Sequence, residues 1–358
     1  MNRASDLTQR HDPYWAELRK VPGSSARSQR PTTRRPHGSM EGAWSAQSVT
    51  RDGAAGRISP QSILVALGLL WLLDGLLQLQ PFMFTKGFVS DVIAVNTAGQ
   101  PAIIAAPITW AAHLMAPHIA LWNTAFALIQ IAIGLGLLWK RTVKQALLLS
   151  FAWALGVWLF GEGLGGLATG SGSMLAGAPG AVILYGIVGL IVWPRTEQQQ
   201  GLGVGQEGLL GAAGARLAWC ALWLGSAVLS ILPAQRAAGA LSDVLSGNAE
   251  EAPASLASVE RWLAHATAGR GFGISLAIAA LETAIGIGVL VKSRARPFLF
   301  LGIGVSLGFW AVGQNFGMLF SGTSTDPNAA PLYVLLALAC LGTLTQKAGS
   351  ARVGSLIS

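Results

Sequence analysis

The chain has 358 residues, 52% of them hydrophobic and 11% charged, with a formal charge of +8. Apolar windows near 20 residues recur along most of it, the length a helix needs to span bilayer hydrocarbon, which excludes an ordinary soluble fold. The positive charge gathers in the N-terminal tail and in short links between apolar runs, so it reads as a signal of membrane orientation rather than of nucleic-acid binding.

Residues 1–58, rich in Arg, Ser, Pro and Gly and without apolar periodicity, are predicted to be a disordered basic tail, with Met40 an alternative start to Met1. Its aromatic residues are few, Tyr14 and Trp15 with Trp44 far along, so the tail suits anionic lipid better than nucleic acid. The first apolar run begins near Ser62, too far along for a secretory signal, and is predicted to stay as a span. From there the chain repeats itself. An offset of 152 residues lays 62–193 on 214–345 without a gap: Trp71 falls on Trp223, Pro81 on Pro233, Asn96 on Asn248, Trp158 on Trp310 and Pro179 on Pro331. Roughly a third of the positions are identical, and the rare Trp, His, Asp and Pro coincidences carry the match.

Each copy is predicted to hold four spans, at 62–80, 119–139, 145–167 and 179–193, then 214–232, 271–291, 297–319 and 331–345. The expected fold is an all-α integral membrane protein of two tandem four-helix transmembrane bundles, eight spans, related by a pseudo-two-fold axis along the membrane normal. The first repeat covers 59–195 and the second 214–346, joined by a cytoplasmic linker at 196–213 and followed by a tail at 347–358. Arg51, Arg57, Lys140, Arg141, Lys144, Arg195, Arg216, Lys292, Arg294, Arg296, Lys347 and Arg352 fall on one side of that topology, which is therefore cytoplasmic, as are both termini. Loops 81–118 and 233–270 face outward and carry "WAAH" and "WLAH", with Trp110 and His113, then Trp262 and His265, on one face of a short interfacial helix.

Three aligned positions inside the spans stay polar in both copies: Asp74 with Ser226, Gln130 with Glu282, and Glu162 with Gln314. A charge at the bilayer centre costs about 2.5 to 3.5 kcal/mol on insertion scales, so these groups are expected to face a polar pocket inside each bundle, opening outward. Two readings stand for them: a proton relay or substrate site, and protonated carboxyls hydrogen-bonded between helices. Gly161 and Gly165, repeated as Gly313 and Gly317, read as a G-x-x-x-G that lets a neighbouring helix approach. His113 and His265 invite a shared metal or haem reading, over which packing beside Trp110 and Trp262 is favoured. Asp91 and Asp243 read as the start or cap of a loop helix.

Cys220 and Cys340 stand alone in apolar segments, without disulfide or zinc spacing. "GVGQEG" at 203–208 matches a dinucleotide fingerprint only in letters, because it lies in a linker with no strand before it. The four-span unit opened by "GLLWLLDGLLQL", with a long outward loop after its first span and a glycine-rich third span, resembles the DoxX-like family of small bacterial membrane proteins. The resemblance implies a bacterial cytoplasmic membrane and a subunit of a quinone-linked redox system, with quinone bound in the pockets and a partner subunit carrying electrons. A proton-coupled transporter or exporter built on the parallel repeat, or an assembly protein without chemistry, are the alternatives.

Overall fold

The structure, a computed structural model, describes residues 58–195, 208–291 and 293–354, and side chains as far as Leu344. The predicted disorder of residues 1–57, linker residues 196–207, Lys292, and the side chains of Lys347 and Arg352 lie outside those residues.

Among the described residues the chain is helical, without strands. The first half contains α1 (Pro60–Leu77), α2 (Ala102–Met115), α3 (Ile119–Leu138), α4 (Val143–Phe160) and α5 (Ala181–Ile191). The second contains α6 (Gly211–Ser230), α7 (Pro233–Arg236), α8 (Ala240–Glu251), α9 (Ala254–Thr267), α10 (Gly271–Gly288), α11 (Ala295–Val312) and α12 (Ala330–Gly354). The start of α1 is written in its sequence: Pro60 occupies the first turn, where its missing N–H costs nothing, and Ser59 accepts from the Ser62 amide at 3.1 Å.

Six stretches are long and apolar enough to cross a bilayer: α1, Ala102–Leu138 containing α2 and α3, α4, α6, α10 and α11. Leucines about half exposed, such as Leu69, Leu128, Leu155, Leu217 and Leu276, cover their outer faces, an exterior that suits hydrocarbon and not water. The chain is a multi-pass membrane protein by this measure.

Of the two fourth spans, both expected to be short, the first is shorter still than its predicted 179–193. Helix α5 has 11 residues, and the apolar part of α12 is Ala330–Leu344. Both are buried nearly all round: Leu184, Tyr185, Val188 and Ile191 in α5, and Leu332, Tyr333, Leu336, Ala337, Ala339 and Cys340 in α12. A helix apolar on every face belongs at the centre of a larger assembly. Accordingly α5 packs on α12, α5 also touches α6, and α12 also touches α1, so one core runs through both halves.

Within each half the first and second long helices, α1 with α3 and α6 with α10, pair through a seam of small residues. Gly75 and Gly134 lie where an added Cβ would come within 2.7 Å of Ile131 and Leu72, so glycine is what permits the α1–α3 approach. The buried stripe of α1 includes Leu67, Trp71, Asp74 and Gln78; that of α6 includes Trp219, Trp223, Ser226 and Ser230, each 152 residues on. Asn123, Ala127 and Gln130 of α3 are likewise matched by Ser275, Ala279 and Glu282 of α10.

Past the third long helices the fold departs from prediction. Helix α4 stops at Phe160 and α11 at Val312, and the next residues turn left-handed: Gly163 to Gly166 have φ of 53°, 57°, 62° and 71°, and Asn315 to Met318 have 45°, 54°, 69° and 52°. The glycines predicted as a helix-packing motif therefore serve a turn. Glycine takes these angles at little cost, whereas each L-residue there costs roughly 1–2 kcal/mol. Side chains hold the turns in place: the Asn96 amide donates to the Gly161 carbonyl at 2.7 Å, Gln100 to Gly163 at 2.7 Å, and Asn248 to Gly313 at 3.0 Å.

The turns also correct the gapless alignment. Trp158 donates to the Pro179 carbonyl, 21 residues on, and Trp310 to the Pro327 carbonyl, 17 residues on. Trp71 packs on Tyr185 and Trp223 on Tyr333. The partner of Pro179 is thus Pro327, not Pro331, and this loop is four residues shorter in the second copy.

Candidate functional site

The first half encloses a cavity of about 310 Å³. Helix α1 supplies Trp71, Asp74 and Gln78 to its wall, α3 supplies Trp122, Phe126 and Gln130, and α4 supplies Trp153 and Phe160. Trp110 of α2 reaches it while remaining 62% exposed, which sets it at the rim. Phe126 stacks at a tilt between Trp122 and Trp153, with centroids 6.2 and 5.3 Å away. The aromatic wall follows from α3 and α4 presenting these residues at helical spacing toward one another.

Three polar positions expected to share a site do so: Asp74, Gln130 and Glu162 all line this cavity. Asp74 is 2% exposed and its Oδ1 has no hydrogen-bond partner; the same holds for Gln130 Oε1 and Glu162 Oε2. Glu162 Oε1 accepts from the Val182 amide at 3.3 Å, so the carboxyl meets the N-terminus of α5. Gly180 makes that fit possible, since a Cβ there would stand 2.1 Å from Glu162 Oε2. Gln78 and Asn123 close the α1–α3 seam beside the cavity: the Gln78 amide donates to Asn123, and Asn123 returns a bond to the Gln78 carbonyl at 2.8 Å.

A third carboxyl comes from the other half. Thr325 and Asp326, in the loop before α12, line the cavity. Asp326 accepts from the Asn328 amide at 2.7 Å and from the Thr325 hydroxyl at 2.8 Å. Burial pushes its carboxyl above the usual range, and these two donors oppose the shift. Among the described residues no Lys, Arg or His lines the cavity. The loop is tied to the first half by Gln80, which donates to the Ser324 carbonyl at 3.1 Å.

The corresponding positions of the second half do not build an equal cavity. Ser226 and Ser230 donate to the two oxygens of Glu282 at 2.5 and 2.8 Å, satisfying the carboxyl between α6 and α10. The space beside it is about 30 Å³, covered by Ser173 and Leu175 of the first half. Gln314 joins neither space; its amide donates to the Met174 carbonyl at 3.1 Å. The expectation of one pocket per bundle is therefore corrected: one substantial cavity exists among the described residues, and each half's loop roofs the other half's interior.

The outer-face candidates stay apart from this chemistry, save Trp110. His113, His265, Trp262, Asp91 and Asp243 are exposed. Neither histidine joins a group of three or more His, Cys, Asp or Glu residues able to hold a metal, among the described residues. Asp91 and Asp243 sit in the first turns of the helical segment Phe88–Ile93 and of α8, at the helix starts read from the sequence, but the cap positions are Gly87 and Gly239 and neither aspartate makes a side-chain cap hydrogen bond.

Sequence reasoning missed Asp326, the aromatic wall and Gln78. Asp326 lies in "TDPN", which reads locally as a turn, and only the crossing of the loop brings it to Asp74. It also missed Glu260 of α9, fully buried with both oxygens unpartnered, at the place that Ile108 fills in the first half. No protein-family model, no curated protein and no solved structure matches this chain.

Proposed function

We propose that the chain is an eight-span membrane protein that binds a small, mostly apolar molecule in the first-half cavity and couples that binding to protonation of its carboxyls, as a proton-coupled carrier. The observation that carries this reading is a chamber of about 310 Å³ with aromatic walls, lined by Asp74, Gln130 and Glu162, each of which has a buried oxygen without a hydrogen-bond partner. Groups so placed inside a membrane bundle are costly to keep unless they serve a substrate or a proton.

The eight-span, pseudo-two-fold arrangement is supported by reciprocity: α1 meets α12 as α6 meets α5, and α5 meets α12. Such exchange is what a two-fold relation between copies produces. Lys140, Arg141 and Lys144, with Arg294 and Arg296, fall in equivalent links of the two copies, in keeping with those links and both termini facing a bacterial cytoplasm.

A second reading is the quinone-linked subunit implied by the DoxX-like resemblance, favoured by the amide of Gln130 and the carboxyl of Asp74 on neighbouring helices, where they suit the two carbonyls of a quinone ring. The two readings separate in one experiment. A carrier gives pH-gradient-driven uptake of small aromatic compounds into proteoliposomes, lost in Asp74→Asn and Glu162→Gln. A redox subunit gives no uptake, and its deletion lowers quinol-dependent oxygen consumption of native membranes. Absence of both effects refutes both.

A further inference from the structure

We propose that the ligand of the first-half cavity is an organic cation, an aryl or alkyl ammonium, held by Asp74, Glu162 and Asp326 against the aromatic walls. This rests on the reading of the cavity as a small-molecule site and adds the chemical class. Three carboxyls from three separate elements converge on one chamber, and among the described residues no basic side chain lines it to neutralise them. Asp74 is 2% exposed, and its Oδ1 has no hydrogen-bond partner. The second half shows what satisfaction looks like: Ser226 and Ser230 bind Glu282, and the space beside it shrinks to about 30 Å³.

The walls fit the same ligand. Trp71, Trp122, Phe126, Trp153 and Phe160 line the chamber, and aromatic faces attract a cation most when water is excluded. A quaternary ammonium is bulky, weakly hydrated and offers no hydrogen-bond donor, so it needs charge and π-faces rather than the directed acceptors that a primary amine would use. Asp326, held by Asn328 and Thr325, supplies a carboxylate at the roof that comes from the other half of the chain. On binding, a proton leaves whichever of Asp74 and Glu162 had held one and passes to solvent, so the net charge of the site is conserved.

The test uses an isosteric pair on the purified full-length protein: benzyltrimethylammonium and neopentylbenzene, which differ in one atom, N⁺ for C. Binding of each is read by tryptophan fluorescence and calorimetry. The expected result is affinity for the cation at least about tenfold above that for the hydrocarbon, this ratio falling toward parity in Asp74→Asn and in Asp326→Asn. The charge comparison on the unaltered protein needs no variant to fold. If the hydrocarbon binds as well as the cation, or if the cation's advantage survives both substitutions, the ammonium assignment is overturned and the small-molecule site stands. If neither compound binds, the site reading falls with it.

Discussion

Replacing Ser226 by Ala tests whether the two halves use equivalent positions for different ends. Its hydroxyl donates to Glu282 at 2.5 Å in a buried seam, where Ser230 supplies the second donor at 2.8 Å. Hydrogen bonds between helices in lipid average about 0.6 kcal/mol with a maximum near 1.7, while a buried acceptor stripped of its donor costs about 1–3 kcal/mol. Ser226→Ala is therefore expected to cost about 1–2 kcal/mol, roughly a five- to thirtyfold shift in the folded ratio. At the aligned position of the first half, Asp74 Oδ1 has no partner to lose, so the isosteric Asp74→Asn is expected to change stability by less than about 0.5 kcal/mol. Unfolding in mixed micelles of rising sodium dodecyl sulfate content measures both. A double-mutant cycle with Glu282→Gln assigns the Ser226 cost to that contact. Equal destabilisation by Ser226→Ala and Asp74→Asn, or a coupling near zero, would refute the division into a closed and an open site.

Gly165→Ala puts a Cβ 2.1 Å from the Pro179 carbonyl oxygen at a φ of 62°, and should lower the detergent melting temperature more than Gly156→Ala, whose Cβ meets nothing within 4 Å. Glu260 gives the chain a pH-dependent weakness outside the spans: burial pushes its carboxyl up to about 7, partly opposed by Arg261. A raised folded-state value means that this contribution to stability is complete below the ordinary carboxyl range and is lost as pH rises through about 7. Glu260→Ile, which copies Ile108 of the other half, should flatten the fall in melting temperature between about pH 5 and 8 and raise its value at the alkaline end.

Much of this was legible in the sequence because period and duplication are local properties. The seam residues Asp74, Gln130, Ser226 and Glu282 lie at helical spacing inside apolar runs, and alignment of the copies placed them in register before any coordinate was known. What escaped was set by backbone geometry and by contacts across the halves. Gly161 and Gly165 looked like a helix-packing pair because spacing does not record φ. The fourth spans already looked short in the sequence, and the reason came only with the fold: a helix walled on all sides by protein has no hydrocarbon thickness to match. Glu162 was read near the end of a span, and one of its oxygens meets the start of α5. Asp326 was invisible as a site residue because nothing in "TDPN" tells which half its loop leans on.

Those crossing loops carry an implication for ancestry. A solitary four-span module would leave its own interior uncovered, since Asp326 reaches the first chamber from the second copy and Leu175 reaches the second from the first. Such a module would be complete only beside a twin, and fusing the twins into one polypeptide would free their two interiors to diverge. One then kept an open chamber while its sibling filled in, so that the sibling now serves as scaffold and contributes a single acid to a site that lies in its neighbour.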